Sequence, residues 1–272
     1  MNARLEPAAA GLDLEDATRA ALAQDGYALL PGEQAGDLLA GMDCRDAGGS
    51  LERDGAHGWA RDGAQDWSHF QASWQRLELD RYMADGGAYR YRRHATYSAQ
   101  AGARVARQEP HQPHYQSRDY NPLNGGIARH FAPIEPEIAQ GPVLQAVLSY
   151  CCELFSSLAP GRDWHIEVHQ FRIDAARTGA TPTPEGVHRD GVDFVFMMLV
   201  QRLNLQGGET RILDLSGQTL ARFTLAEPMD TAIVNDTRVR HGVTPIQPLD
   251  PAQPAWRDML VVTFASRPAA AA

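Results

Sequence analysis

The spacing of apolar residues changes character along the chain. In the first part, apolar positions recur at three and four. Residues 141–158 carry the clearest helical pattern: Val143, Leu144, Val147, Leu148, Cys151, Leu154 and Phe155 share one face, and the segment ends before Pro160-Gly161. Shorter helices are predicted over 13–24, closed by Gly26, over 34–42, and over 67–82, where Phe70, Trp74 and Leu77 keep helical spacing. Residues 27–30 form a short strand stopped by Pro31-Gly32. Residues 88–97 alternate tyrosine and arginine and form another.

Beyond residue 160 the pattern is that of strands. Residues 164–173 alternate, with Ile166, Val168 and Gln170 on one face and His165, Glu167, His169, Phe171 and Ile173 on the other. Residues 194–203 are nearly all apolar, as in a strand buried on both faces. Further strands are predicted over 210–215, 220–225, 231–235, 239–243 and 257–264, with a hairpin turn at Ser216-Gly217-Gln218. Such a series predicts a mostly β fold with flanking α-helices and a double-stranded β-helix (jelly-roll, cupin-like) core. The helix over 141–158 is expected to buttress the outside of that barrel. One domain is expected over 1–272: a helix-rich part with substrate loops at 1–160, the jelly-roll core carrying the metal site at 161–266, and a tail at 267–272. Residues 44–66, rich in Gly, Asp and Arg, and the Pro-rich segment 245–254 are expected to be loops.

Composition narrows the function classes. The chain has 272 residues, 43% of them hydrophobic, enough for a sizeable core. A formal net charge of -9 argues against non-specific nucleic-acid binding. No apolar run approaches a membrane span, and no secretory signal is visible, so the cytoplasm is the expected location, with a small-molecule partner and neither nucleic acid nor membrane. The three cysteines, Cys44, Cys151 and Cys152, lack metal-ligand or disulfide spacing and are expected to be buried thiols. The sequence says nothing about oligomeric state.

Candidate chemistry centres on Glu185-Gly186-Val187-His188-Arg189-Asp190-Gly191. In a strand, His188 and Asp190 share a face and supply two of the three ligands of a non-haem Fe(II) site. His241, in the short strand-like segment Val239–Val243, is the best candidate for the third. Arg257, opening a later apolar run, is placed to clamp a dicarboxylate through paired hydrogen bonds. Glu167 and His169 imitate a ligand pair and are the main rival, although no later strand completes a triad with them as naturally. His111 and His114 are discounted as a metal pair because Pro113 breaks any helix that would stack them. The arginines of 88–97 have two readings, a solvated sheet face, which is favoured, or a greeting for an anionic substrate. His57 and His69 are expected at the surface. Residues 115–129, polar, aromatic and turn-rich, suit either a binding loop or an ordinary structured loop. Within that loop Arg118, Tyr120, Asn121 and Arg129 are candidate substrate contacts, and His169 joins them from the strand.

The order His188-x-Asp190, His241, Arg257 resembles the 2-oxoglutarate/Fe(II)-dependent dioxygenases. Arg202-Leu203-Asn204-Leu205-Gln206-Gly207-Gly208-Glu209 is similar to the "R-x-N-x-x-GGE" signature of the L-isoleucine 4-hydroxylase-like family of bacterial free amino acid hydroxylases. The resemblance is dense from Trp164 to Phe264. It implies a jelly roll, Fe(II) held by His188, Asp190 and His241, 2-oxoglutarate as cosubstrate on Arg257, and O2 as oxidant. It also implies hydroxylation of a free L-amino acid or close derivative at an unactivated C–H, with release of succinate and CO2. Two alternatives remain open: desaturation or cyclisation at the same iron, or a cupin-like metal-binding protein without oxygenase activity. Many relatives place a serine two residues after the arginine. Here that position is Met259, so a hydroxyl partner for Arg257 must come from elsewhere or be absent.

Overall fold

The computed structural model describes residues 13–42, 63–176 and 180–267. Helix α1 (Leu14–Asp25) begins at Asp13, whose carboxylate accepts the Glu15 N–H, and closes on Gly26 at φ 80°, a left-handed position that favours glycine. Strand β1 (Tyr27–Leu30), helix α2 (Gly32–Gly41) and helix α3 (Gly63–Ala72) follow. The helix expected over 67–82 stops early. A 3-10 turn at Ser73–Arg76 leads into strand β2 (Glu78–Leu79). Trp74 is buried there and donates its indole N–H to the Phe171 carbonyl at 2.9 Å, so a tertiary anchor overrides the helical spacing. The loop expected over 44–66 lies outside the described residues up to 62, as do Cys44 and His57, and its end opens α3. His69 is exposed, as expected.

The chain continues through β3 (Arg90–Ala99), β4 (Arg107–Gln108), α4 (Pro136–Ala139), α5 (Pro142–Leu158), β5 (Asp163–Asp174), β6 (Phe194–Leu203), β7 (Leu205–Gly207), β8 (Thr210–Asp214), β9 (Thr219–Phe223), β10 (Thr231–Asn235), β11 (Val239–Val243), β12 (Ile246–Pro248) and β13 (Trp256–Arg267). Antiparallel pairing orders the large sheet β1-β10-β6-β13-β5-β3-β2, with β4 beside β3. A smaller sheet runs β11-β8-β9, and β12 pairs with β7. The Pro-rich segment is therefore not all loop: Ile246 is buried and its strand pairs with β7.

Two hydrophobic layers explain the sequence pattern. In β6, Phe194, Phe196, Met198 and Val200 pack in the cluster that includes α5, while Val195, Met197 and Leu199 pack against Ile212, Phe223 and Val239 of the small sheet. Both faces are covered, which is why the strand is apolar throughout. Each fully buried side chain of this kind contributes about 1.5–3 kcal/mol. Helix α5 closes the outer face of the large sheet, and Cys151 and Cys152 are buried free thiols within it. The result is a jelly roll of two facing antiparallel sheets with helices on one side. No helix among the described residues is long and apolar enough to cross a membrane.

Strands β3, β5 and β13 share one register. On β5, Phe171 lies between Arg92 and Met259, His169 between His94 and Val261, and Glu167 between Thr96 and Thr263. Because side chains alternate, one face of these strands packs under α5, and the other turns its charged residues toward the interior between the sheets.

Candidate active site

His188 lies outside regular strand, in contrast to the strand expected for His-x-Asp. It meets His241 of β11 through an isolated antiparallel bridge: His188 N–H donates to the His241 carbonyl at 2.9 Å, and His241 N–H to the His188 carbonyl at 3.0 Å. Asp190 follows in a loop whose backbone is held from below. The buried Asp236 carboxylate accepts the N–H groups of Asp190, Gly191 and Val192 at 3.1, 2.8 and 3.2 Å. Gln116 donates to the Asp190 carbonyl at 3.0 Å. Gly191 stands at φ 81°, and a Cβ there would come within 2.4 Å of the Tyr120 ring.

The side chains converge. One ligand atom each from His188, Asp190 and His241 lies within 4.8 Å of the other two. His241 Nε2 is 3.1 Å from Asp190 Oδ2, and His188 Nε2 is 3.7 Å from Asp190 Oδ1. His188 Nδ1 is 3.0 Å from the Gly186 carbonyl, so it carries the donated proton and leaves the Nε2 lone pair facing the carboxylate. Burial alone would lower the His188 pKa. Hydrogen bonding and charge from Asp190 outweigh it and hold the ring up at about 9. Two imidazoles and a carboxylate with open positions form the donor set of a non-haem Fe(II) site, and a divalent cation would take the place of that extra proton. The residues present fit the metal.

Asp190 opens onto a cavity of about 330 Å³. Tyr120, Asn121, Arg129 and His169 line it, as do Glu167 and Glu185. Arg118 does not line it; that side chain is exposed and packs over Gly126. Arg129 is 1% exposed. Among the described residues its guanidinium has no ion pair: it contacts Gln116 Oε1 at 3.5 Å, lies 5.8 Å from the centre of the Phe131 ring, and its Nε has no hydrogen-bond partner. Burial and then the Arg90 charge push its pKa down, against the opposing pull of Asp80, Glu167 and Glu185.

Arg257 is 4% exposed, on the inner face of β13, with no ion pair among the described residues and an unpartnered Nε. Burial pushes it down to about 9, with Arg202, its register partner on β6, adding to the shift. It is not among the residues lining the cavity beside Asp190; Met259 separates it from Val261 and Thr263, which are. The signature residues nearby are structural. Arg202 donates to the Leu205 and Gly207 carbonyls at 3.2 and 2.8 Å, and Asn204, at φ 52°, donates to the Asp250 carbonyl at 2.8 Å.

Several functional groups escaped sequence reasoning. Arg90 and Arg92 are buried and line the cavity, so the expectation of a solvated arginine face is wrong: the partner strand β5 places them inward, where Asp80 lies 2.7 Å from Arg90 and 3.6 Å from Arg92. His114 was discounted, yet it reaches the cavity through a bridge to Arg129, not through a helix. The rival pair Glu167 and His169 is completed by the earlier His94 and His114, giving a second cluster within 4.8 Å. The period-two alternation Arg90-x-Arg92-x-His94 was the available signal, since it matches the His and Glu face of β5.

Residues 71–263 match the model of the 2OG-Fe dioxygenase family. Among solved structures, a bsmA homologue from Methylobium petroleophilum PM1 superposes with a TM-score of 0.77 at 36% identity, covering 93% of each chain. Among curated proteins, 3(1)-hydroxy-L-isoleucine 4-dioxygenase of Pantoea ananatis is 28% identical over 157 residues, 56% of this chain and 63% of that protein. L-isoleucine-4-hydroxylase of Bacillus thuringiensis is 28% identical over 156 residues, 56% of this chain and 64% of that protein. The match thus spans less than two thirds of the length of either curated relative. The family match encloses both histidines, Asp190 and Arg257, and the solved relative shares the architecture that brings them inward. This chain belongs to the 2OG-Fe dioxygenase family.

Proposed function

We propose that the protein hydroxylates a free amino acid, converting a C–H to C–OH while 2-oxoglutarate and O2 become succinate and CO2. In this reading His188, Asp190 and His241 hold Fe(II). When bound, the iron supplies dioxygen activation and the oxidation of the C–H bond. The chain does the rest. Gly186 fixes the His188 tautomer through its carbonyl, and Asp236 fixes the loop carrying Asp190. Arg257 binds the distal carboxylate of 2-oxoglutarate. Arg129 binds the substrate carboxylate, and Tyr120, Asn121 and His169 shape the walls around it. Phe171, Val192 and Val261 give the cavity apolar surface for a substrate side chain and help exclude water.

The observation that carries this reading is the position of Arg129, a buried cation with no ion pair among the described residues, in the same small cavity as Asp190. Names of the two curated relatives point to amino acid substrates as well. The test is a panel of the twenty amino acids with Fe(II), ascorbate and 2-oxoglutarate. A mass gain of one oxygen with matching succinate is expected for at least one. Succinate formation independent of every amino acid, or none under any condition, refutes the proposal.

A further inference from the structure

Glu167 sits in a cage of imidazoles drawn from three segments. His114 Nδ1 is 2.7 Å from Oε2, His94 Nε2 is 3.5 Å from Oε1, His169 Nε2 is 3.8 Å from Oε2 and His165 Nε2 is 3.9 Å from Oε1. By residue type alone this cluster suits a metal. Its protons argue otherwise. Arg92 can only donate, and its Nη2 lies 2.7 Å from His169 Nδ1. The neutral His169 ring therefore carries its proton on Nε2, toward Glu167. His114 Nδ1, at 2.7 Å from a carboxylate oxygen, carries a proton as well. The His169 ring thus offers an N–H group where a metal needs a lone pair.

Charges and access point to a different occupant. Burial would raise the Glu167 pKa, but the hydrogen bond from His114 and the three other imidazoles close by outweigh it and hold the carboxyl far below the usual range. Burial also pushes His94, His114 and His169 down, so their rings are neutral near pH 7. The result is one anion beside the neutral rings of His94, His114 and His169, still open to the cavity that holds Asp190 and Arg129. Arg90 and Arg92 are paired with Asp80, and Arg129 shares the cavity with Glu167, Glu185 and Asp190 without an ion pair to any of them. A zwitterion offers an ammonium to these carboxylates and a carboxylate to Arg129 without adding net charge.

We infer that Glu167 receives the α-ammonium group of the substrate while Arg129 takes its carboxylate, so that the site selects free α-amino acids over their desamino counterparts. The inference rests on the amino-acid reading above. To test it, the best amino acid from the panel is paired with its desamino carboxylic acid, and both are assayed with wild type and Glu167→Gln. Wild type is expected to prefer the amino acid by about 100-fold in kcat/KM, the scale set by a buried charged contact. Glu167→Gln should narrow that gap to about 10-fold or less, mainly through KM for the amino acid, with KM for 2-oxoglutarate and bound iron unchanged. An undiminished gap overturns the inference. So does a second metal equivalent per chain that Glu167→Gln abolishes, which identifies a metal cage. If Glu167→Gln fails to fold, Glu167→Asp carries the test: the charge is kept but its reach is shorter, and a gap equal to wild type overturns the inference. If wild type turns over no amino acid at all, the functional reading itself has failed.

Discussion

His188 and His241 exchange both of their backbone hydrogen bonds, at 2.9 and 3.0 Å, and their rings stand 4.7 Å apart. Residues far apart in sequence are thus fixed by main-chain geometry before any side chain contributes. Asp190 is held differently, by a loop that depends on Asp236. The three proposed ligands therefore have two supports, and Asp236, 3.8 Å from His241 Nε2, touches both.

Replacing a ligand should remove the metal. His188→Ala, Asp190→Ala and His241→Ala are each expected to lose bound iron and to lower amino-acid-dependent succinate formation to background. Metal content by mass spectrometry and a succinate assay check this. Full turnover in any one of them rejects the triad.

Asp236→Asn should act on the iron indirectly. One acceptor oxygen becomes an NH2 group facing backbone N–H donors, so the Asp190 loop loosens. Iron affinity is expected to drop by about 10–100-fold, as for other residues that orient metal ligands. Competitive chelator titration measures it, and an affinity equal to wild type shows that the loop needs no such support.

Arg257 should couple cosubstrate to stability. Its buried charge has no anionic partner among the described residues, so 2-oxoglutarate is expected to raise the Tm of wild type. Arg257→Leu should be at least as stable as wild type without ligand, because an apolar side chain replaces a buried cation. It should lose the 2-oxoglutarate-dependent rise and show a much higher KM for 2-oxoglutarate. Thermal melts with and without cosubstrate provide the comparison.

Asp258 provides a pH signature. It is fully buried against Arg172, at 2.7 and 2.6 Å, yet burial outweighs that pairing and raises its pKa to about 6. The folded state therefore holds the Asp258 proton more tightly than the unfolded state, where the pKa is about 3.9. As pH falls from above 6 toward 4, wild type gains stability relative to Asp258→Asn, by about 3 kcal/mol in the limit. Denaturant melts of both proteins at pH 7 and pH 4.5 test the sign, and a difference that is flat with pH contradicts the raised pKa.

The strands around the site were legible from two patterns, the strict alternation of 164–173 and the unbroken apolar run of 194–203. Residues 194–203 and 231–235 match the observed strands β6 and β10, and the two faces of β5 were separated correctly. His188, Asp190 and His241 were legible through residue type and order alone. The cage around Glu167 was not, because it depends on which strand lies beside β5. Nothing local says that β3 pairs there in register, or that residues 114 and 129 bridge to bring His114 inward. Arg92 illustrates the same limit: an arginine in an alternating strand looks solvated until its neighbour is known.

The alternation of β3, β5 and β13 also bears on how such an enzyme can change. Residues that touch the cavity and residues that anchor α5 occupy opposite faces of the same three strands. Drift at positions such as Arg92, Phe171 or Val261 can retune what is recognised while Ile166, Val168 and Leu260 keep the scaffold intact. A lineage built this way can diversify its chemistry without first renegotiating its fold, and a library confined to the cavity-facing positions should yield folded variants far more often than one spread over both faces.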